Sequence, residues 1–463
     1  MKRLLLIASA FASSAFALTY PIVDTGQTQA YGEDAGQDAH YLANAPSYKD
    51  NGDGTVTDLV TGLMWTKDPG DKMTYTDALK NAPKCKVGGH GDWRLPTIKE
   101  LYSLIKLDGL DPDPMSRDES GLKPFIDDSI FNFTYGKEED GERIIDSQFA
   151  SGTKYVSTTM GKNETMFGVN FADGRIKGYP IKSRRGDKLF YVLYVRGNPD
   201  YGVNQFKDNG DGTITDAATG LTWMQADSGK GMDWPSALEY AEGMEFAGHS
   251  DWRLPNAKEL QSIVDYTRSP DTTDSPAIDP IFESTAIKNE GGKKDFAHYW
   301  SSSTHASTRS SDTATYFAFG RSLGWMGPDG NKKLMDVHGA GSQRSDPKTG
   351  DASQFPEGRG PQGDVIRIDN MVRLVRGGVE KIDPPVAKEP KRGRRGGQLS
   401  QSRQTGQRSG GSFMEREDRN GDGKVSEDEF RGPMEHFILL DKNNDGYLSE
   451  NEAPTGPPPE RRR

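Results

Sequence analysis

The sequence reads Gly91-Asp92-Trp93-Arg94-Leu95-Pro96 at one point and Ser250-Asp251-Trp252-Arg253-Leu254-Pro255 about 160 residues later. In each copy a Lys-Glu-Leu triplet follows at the same spacing, at 99–101 and at 258–260. A repeat of this length exceeds the roughly 20–50 residues of a solenoid repeat and matches the size of a whole domain. The motif therefore indicates that one domain has been duplicated.

A hairpin signal opens each copy upstream of this motif. Residues 51–58 read Asn-Gly-Asp-Gly-Thr-Val-Thr-Asp, and residues 209–216 read Asn-Gly-Asp-Gly-Thr-Ile-Thr-Asp. Asn-Gly and Asp-Gly steps supply the positive φ of a tight turn, and the β-branched residues favour a strand. These turns resemble calcium loops only superficially, because the first ligand position would be a lysine, Lys49 or Lys207. We interpret them as hairpin turns.

Two helices are predicted to follow in each copy. The first runs from about Thr74 to Asn81, and its counterpart begins at Asp233; both starting residues are good N-caps. The second begins at Thr97 in one copy and at Asn256 in the other. A glutamate three residues further on completes a capping box in both cases.

The rest of each copy alternates between irregular and extended chain. Residues 108–153 and 265–297 are rich in Asp, Pro, Gly and Ser, and β-branched and aromatic runs then return, closing at 190–196 and 371–376. Strands, two helices, long loops and returning strands predict an α+β fold with an antiparallel sheet.

The chain length of 463 residues suits about three domains. Residues 378–411 are rich in Pro, Gly, Arg and Gln and lack apolar periodicity, which predicts a disordered basic linker. The predicted layout is a signal peptide at 1–17, a polar lead-in at 18–47, repeat domains at 48–197 and 205–377, the linker at 378–411, and a calcium-binding module at 412–455.

The first residues predict export from a bacterial cell. Lys2-Arg3, the apolar run 4–11 and Ala15-Phe16-Ala17 form the three parts of a secretory signal. The apolar run is too short to span a bilayer, and no later segment is a transmembrane candidate. We therefore expect a secreted or periplasmic protein. A formal net charge of −11 argues against nucleic acid as a partner.

The single cysteine, Cys85, excludes an intrachain disulfide. We interpret it as a structural, partly buried thiol.

Two segments after the linker, 418–429 and 441–452, fit the EF-hand calcium loop at every ligand position. The first, third and fifth positions supply side-chain oxygens, the sixth is glycine, the seventh supplies its carbonyl, and the last is a bidentate glutamate. Val425 and Leu448 at the eighth positions are expected to pair the loops across a short strand. The sequence therefore predicts bound Ca²⁺, with the ligands Asp418, Asn420, Asp422, Lys424 and Glu429 in one loop and Asp441, Asn443, Asp445, Tyr447 and Glu452 in the other.

The hairpin motif, the Asp-Trp-Arg-Leu-Pro motif and the closing Val-Arg-Gly, in that order, resemble the Lcl C-terminal domain family across residues 48–377. That family includes the sugar-binding head of a collagen-like bacterial adhesin. The resemblance implies a C-type-lectin-like fold related to formylglycine-generating enzymes, and its best-understood member binds sulfated glycosaminoglycans. The expected architecture is two C-type-lectin-like domains in tandem plus a small α-helical EF-hand pair. No collagen-like Gly-X-Y region is present, so a trimeric stalk is not expected.

Other repeated residues are interpreted as structural. Arg94 and Arg253 are expected to form buried ion pairs with nearby carboxylates rather than to contact anions. The histidines that precede the motif, His90 and His249, are interpreted as loop residues rather than metal ligands. The tryptophans are expected in the core rather than stacked on sugars: Trp65, Trp93, Trp223, Trp252 and Trp300.

The sequence favours a non-enzymatic function. It contains no nucleophile elbow, zincin, Walker or dinucleotide motif. One cysteine cannot supply the copper-binding cysteine pair of the related enzymes. We expect an exported calcium-binding protein that recognises a surface glycan or protein through loops within 108–150 and 265–298. An enzyme or enzyme accessory of the formylglycine-generating type, and a calcium-binding structural protein with inert repeats, remain alternatives; the oligomeric state is left open.

Overall fold

The computed structural model describes residues 18–183, 186–328, 331–387, 424–426, 440 and 447–449. The predicted signal peptide, residues 388–411 of the predicted linker and most of the two calcium loops lie outside this range. The chain divides into two units, residues 1–392 and 393–463, and both repeats belong to the first. The described part is mainly β, with few helices.

Four α-helices, two in each repeat, begin where the capping residues predict. The predicted N-caps Thr74 and Asp233 each accept a hydrogen bond from the backbone N–H three residues further on. The capping boxes of Thr97 and Asn256 are both complete. The helices are α1 (Tyr75–Asn81), α2 (Ile98–Ser103), α3 (Trp234–Glu242) and α4 (Ala257–Ser262).

A four-stranded antiparallel sheet opens each repeat, as the hairpin motifs predict. In each sheet the closing strand of the repeat pairs with the strand that carries a tryptophan found in both copies, Trp65 with Val195 and Trp223 with Val375. The strands are Tyr48–Asp50, Thr55–Asp58, Met64–Thr66 and Val195–Arg196 in the first repeat, and Phe206–Asp208, Thr213–Asp216, Leu221–Met224 and Val375–Arg376 in the second.

The largest sheet has six strands and takes three from each repeat. The strands are β1 (Gln148–Thr159), β2 (Asn163–Asn170), β3 (Arg175–Pro180), β4 (His298–Thr304), β5 (Thr313–Ala318) and β6 (Gln343–Pro347). Their order is β4-β5-β6-β3-β2-β1, and every neighbouring pair is antiparallel. The repeats join where β6 meets β3, with Gln343 opposite Ile176. We call this junction the seam.

Short elements complete the described chain. Two-stranded pairs are Tyr41–Leu42 with Glu380–Lys381, Met73–Thr74 with Leu189–Phe190, Lys182–Ser183 with Gly186–Asp187, Ala286–Lys288 with Lys294–Phe296, Leu323–Met326 with Lys333–Asp336, and Val425–Ser426 with Tyr447–Leu448. Single 3₁₀ turns are Asp38–His40, Ala82–Lys84, Val87–Gly89, Glu138–Asp140 and Ala352–Gln354.

The core confirms the positions expected for the repeated tryptophans and the pairing expected for the repeated arginines, although only Arg253, and not Arg94, is fully buried. All five tryptophans named from the sequence are buried. Arg94 pairs with Glu100 and Arg253 pairs with Glu259, each through two hydrogen bonds. The main apolar cluster contains residues of both repeats, so the repeats share one core.

The lead-in is part of this core. The side-chain amide of Gln27 donates to the carbonyls of Leu107 and Thr304, one in each repeat, at 2.8 and 2.5 Å. Tyr41 lies opposite Lys381 in a short strand pair. The first residues of the predicted linker therefore belong to the folded body, because the lead-in offers them a strand edge.

The two repeats exchange equivalent contacts through their second helices. Lys99 of α2 donates to the carbonyl of Ser262 at 2.6 Å, and Lys258 of α4 donates to the carbonyl of Ser103 at 2.8 Å. Lys99 of α2 thus bonds the last residue of α4, and Lys258 of α4 bonds the last residue of α2. Burial lowers the pKa of Lys99 to about 8 and that of Lys258 to about 7.

Candidate functional site

A cleft of about 640 Å³ lies at the seam. The first repeat contributes β3 and the chain around residues 141–148. The second repeat contributes β6 and the segments around 307–316 and 338–366. Because both repeats line it, the cleft exists only in the joined structure. We call it the seam cleft.

Charged side chains line the seam cleft in nearly equal numbers of each sign. This differs from the chain as a whole, which carries a formal net charge of −11. The lining cations are Arg143, Arg175, Lys177, Lys188, Arg309, Arg344 and Arg359, and the lining acids are Asp111, Glu142, Asp146, Asp173, Asp346 and Asp364.

Arg175 connects the two halves of the cleft floor. Its Nη2 lies 2.7 Å from Asp111 Oδ2 and 3.1 Å from Ser345 Oγ, which belongs to the other repeat. His305, also of the second repeat, donates from Nε2 to the carbonyl of Asp173 at 2.9 Å and stacks on Phe125. Burial lowers the pKa of His305 to about 4, so its imidazole is neutral near pH 7.

A second charge cluster lies on the side of the cleft formed by the second repeat. Asp364 accepts from Arg344 and lies 2.9 Å from Nε2 of His338. Burial opposes ionisation of this carboxyl, but Arg344 and His338 together hold the pKa of Asp364 well below its usual range. Burial lowers the pKa of His338 to about 4. The Nη1 of Arg344 is buried and has no hydrogen-bond partner among the described residues.

Two further buried carboxyls of the cleft, those of Asp173 and Asp346, differ in whether a cationic side chain pairs with them. Asp173 binds Lys177 and is nearly enclosed. Asp346 lacks a cationic partner at hydrogen-bond distance among the described residues, and burial raises its pKa to about 7. The cleft therefore combines fixed ion pairs with one carboxyl that titrates near neutrality.

An aromatic groove of about 570 Å³ adjoins the seam cleft, since Ile366 lines both. The partly buried rings of Trp325 and Phe355 line this groove together with Pro356 and Ile368. Acidic side chains line the same groove: Glu290, Asp351 and Asp369. Exposed aromatic faces beside polar groups are typical of sites that bind sugars or peptides.

Sequence reasoning located part of this surface and missed the rest. The expected loop stretch 108–150 contributes to the cleft, and the stretch 265–298 does not line the cleft but contributes Glu290 to the adjoining groove. Trp325, which lines the groove, was not among the tryptophans named from the sequence. The sequence does contain one indication of a charged surface here. Arg175 and Lys177 alternate with the buried Ile176, so the two cations must share one face of their strand.

The remaining sequence candidates lie apart from the cleft. His90 is partly buried and His249 is exposed, both in loops, and Cys85 is a partly buried free thiol. Both glycine-rich turns form hairpins, with Tyr48 opposite Asp58 and Phe206 opposite Asp216.

Most predicted calcium ligands lie outside the described residues: Asp418, Asn420, Asp422, Glu429, Asp441, Asn443, Asp445 and Glu452. Lys424 and Tyr447 are described. The expected pairing of Val425 with Leu448 is confirmed, and both side chains are buried. Within the described ranges, no group of three or more His, Cys, Asp or Glu residues is placed to hold a metal ion.

No helix in the described part of the chain is long and apolar enough to cross a membrane.

Comparison with known proteins gives one match. The model of the Lcl C-terminal domain matches residues 54–196 and 212–334, which together are more than half of the chain. Neither the search of curated proteins nor the search of solved structures finds a significant match.

Proposed function

The chain belongs to the Lcl C-terminal domain family, through two copies in tandem, and on this premise we propose that it is an exported, non-enzymatic binding protein that recognises a surface glycan or protein. We assign the ligand to the seam cleft and the adjoining aromatic groove. The observation that carries this assignment is that both repeats build a single large cleft. One composite site, rather than two independent ones, would then serve each chain.

The side chains of the cleft suit binding better than catalysis. His338, the histidine that lines the cleft, is held neutral near pH 7 by burial, and the lining residues Arg175 and Arg344 are engaged in ion pairs. The buried Nη1 of Arg344 has no hydrogen-bond partner among the described residues, and an acceptor oxygen of a ligand would satisfy it, while Trp325 and Phe355 offer faces for a sugar ring or an apolar side chain. The family resemblance implies a C-type-lectin-like fold, and a ligand site lined by loops and by strands of a sheet is compatible with such a fold.

We also propose that residues 412–455 form an EF-hand pair that binds Ca²⁺. The antiparallel pairing of Val425 with Leu448 supports this, because the two eighth positions of paired EF-hand loops are the ones that meet. The oxygen-rich ligand set named above has the composition that Ca²⁺ prefers. Bound calcium would stiffen this module by fixing its loops.

A glycan array probed with the full chain tests the binding proposal. We expect binding to at least one glycan class, with a loss of about tenfold or more in Arg344→Ala and in Trp325→Ala. Lys154→Ala is the matched control, because Lys154 forms an exposed ion pair outside the cleft and groove. Absence of binding to any glycan, together with no capture of a protein ligand that depends on Arg344, would refute the proposal.

A further inference from the structure

Lys99 places its amino group against the side chain of Asn204. Its Nζ lies 2.9 Å from Asn204 Oδ1, 3.0 Å from the carbonyl oxygen of Gly202 and 2.6 Å from that of Ser262. Lys99 belongs to the first repeat, whereas Asn204 lies in the connection that leads into the second. The amide carbon of Asn204 is one bond beyond the oxygen that the amino group already contacts.

We propose that Lys99 and Asn204 become joined by an intramolecular isopeptide bond, with the carboxylate of Asp216 carrying the proton. The Nζ of Lys99 attacks Cγ of Asn204, so that an Nζ–Cγ bond forms and the Cγ–Nδ2 bond breaks. One proton passes from Nζ through the Asp216 carboxylate to the departing nitrogen, which leaves as ammonia. No oxidant, reductant or cofactor is required, since no atom changes oxidation state.

The amino group has the property that this attack needs. Only a neutral amine is nucleophilic, and an ordinary lysine is almost entirely protonated near pH 7. Burial lowers the pKa of Lys99 to about 8, so about a tenth of the molecules hold a neutral amine at pH 7. A slow, irreversible reaction can proceed from such a fraction.

Asp216 is positioned to move the proton. Its side chain is buried, and its Oδ2 accepts a hydrogen bond from Nδ2 of Asn204 at 2.8 Å. The charge of Asp216 also acts on Lys99, where it favours the protonated amine and offsets part of the lowering of the pKa by burial. The nitrogen that must leave is therefore the one that Asp216 already contacts.

Lys99 and Asn204 are partly buried, and aromatic side chains pack beside the amide of Asn204. Nδ2 of Asn204 also donates to the hydroxyl of Tyr20, and the ring of Tyr20 packs against that of Tyr201 with centroids 5.0 Å apart. A cavity of about 10 Å³ beside Lys99 has room for one small molecule the size of ammonia or water.

The equivalent lysine of the second repeat provides an internal comparison. Lys258 is also buried, but its amino group donates to the backbone carbonyls of Asp24 and Ser103. When the two hairpins are aligned, the position of Asn204 is occupied by Pro46. Lys258 thus has no side-chain amide to attack, and the proposed bond is specific to Lys99.

Mass spectrometry of the full chain tests the bond. We expect the folded chain to be lighter than its sequence by about 17 Da, the mass of one ammonia, lost when the amide is displaced. A tryptic digest should contain peptide 95–106, uncleaved at Lys99, joined to peptide 197–207. The unmodified mass, with linear peptides ending at Lys99, would overturn the proposal, and this readout needs no variant.

Substitutions distinguish the proposed cross-link between Lys99 and Asn204 from other reactions that release ammonia. Lys99→Arg and Asn204→Ala should both restore the full mass, and Asp216→Asn should do so in protein that retains its circular dichroism spectrum. Asn204→Asp should still cross-link, with the loss of water instead. A loss of ammonia that persists in Lys99→Arg would assign it to a succinimide at an Asn-Gly step such as Asn209-Gly210, and would overturn the proposal.

Discussion

Arg253 and Glu259 face each other through two hydrogen bonds of 2.5 and 2.6 Å, and their side chains are only 2% and 3% exposed. The equivalent Arg94 in the first repeat is 33% exposed, although its partner Glu100 is equally buried. The difference arises from the lead-in, because the ring of Tyr41 lies over the guanidinium of Arg253. The same Arg-Glu pair is thus enclosed in the second repeat and partly exposed to solvent in the first.

Loss of the arginine should therefore cost more in the second repeat. Arg253→Ala leaves a buried carboxylate without its partner, and we expect it to lower the free energy of unfolding by about 3–5 kcal/mol. Arg94→Ala is the matched control and should cost less, because water can reach the vacated space. Chemical denaturation measures both, and equal losses would contradict the role given to the lead-in.

The seam should be sensitive to a single methyl group at Gly178. The N–H of Gly178 in β3 donates to the carbonyl of His338 at 2.9 Å, and a Cβ at this position would lie 2.5 Å from that oxygen. We expect Gly178→Ala to force the repeats apart locally and to lower the free energy of unfolding by about 1–3 kcal/mol.

Gly152→Ala in β1 is the control for this substitution. A Cβ there would meet no atom closer than 3.6 Å. Thermal unfolding that shifts equally in both variants would show that the close approach at the seam does not limit stability.

The carboxyl of Asp346 predicts a pH dependence. Its pKa is raised by burial from 3.8 to about 7, so the unfolded chain releases this proton at lower pH than the folded chain. The stability that the protonated carboxyl contributes is therefore present at low pH and is lost as pH rises toward 7. Relative to Asp346→Asn, the protein should lose about 2–3 kcal/mol of unfolding free energy between pH 5 and 7.

Asp351→Asn is the control for the pH series. Asp351 is exposed, and its hydrogen bond with Ser353 lowers the pKa of its carboxyl, which keeps the titration below this pH window. A pH-independent difference between the protein and Asp346→Asn would refute the expected titration.

Calcium should bind to the C-terminal module of the full chain. Isothermal titration is expected to show heat of binding at or below millimolar Ca²⁺. Glu429→Gln and Glu452→Gln remove the bidentate ligand of one loop each and should each weaken binding by about tenfold or more. Glu290→Gln is the control, because Glu290 pairs with Arg367 in the second repeat. Titration without heat at millimolar calcium would refute the EF-hand assignment.

Local patterns allowed much of the fold to be predicted. Capping boxes, hairpin turns, buried tryptophans and the Arg-Glu pairs all depend on residues close in sequence or on single-residue chemistry, and the structure contains each of them. The seam was not predictable in this way. It depends on the contact between Ile176 and Gln343, which lie far apart in the chain and carry no pairing signal of their own.

The same limit explains what was missed at the candidate site. Arg175 and Asp364 appear in sequence as ordinary surface charges, and only the union of the repeats brings them to one cleft. From the sequence, the polar lead-in at 18–47 was placed outside both repeat domains. Its polar groups are instead satisfied inside the body, as when Asp38 accepts from Thr25 and Ser303.

The place of β3 in the middle of the six-stranded sheet has a consequence for the order of synthesis. A growing chain that ends near Gly197 has completed the strands of the first repeat, but β6, which covers the edge of β3, is made about 150 residues later. During that interval β3 is an open edge that a second chain can pair with. Crowded production of the first repeat alone should thus favour edge-to-edge dimers through β3, and the second repeat prevents this association by covering that edge.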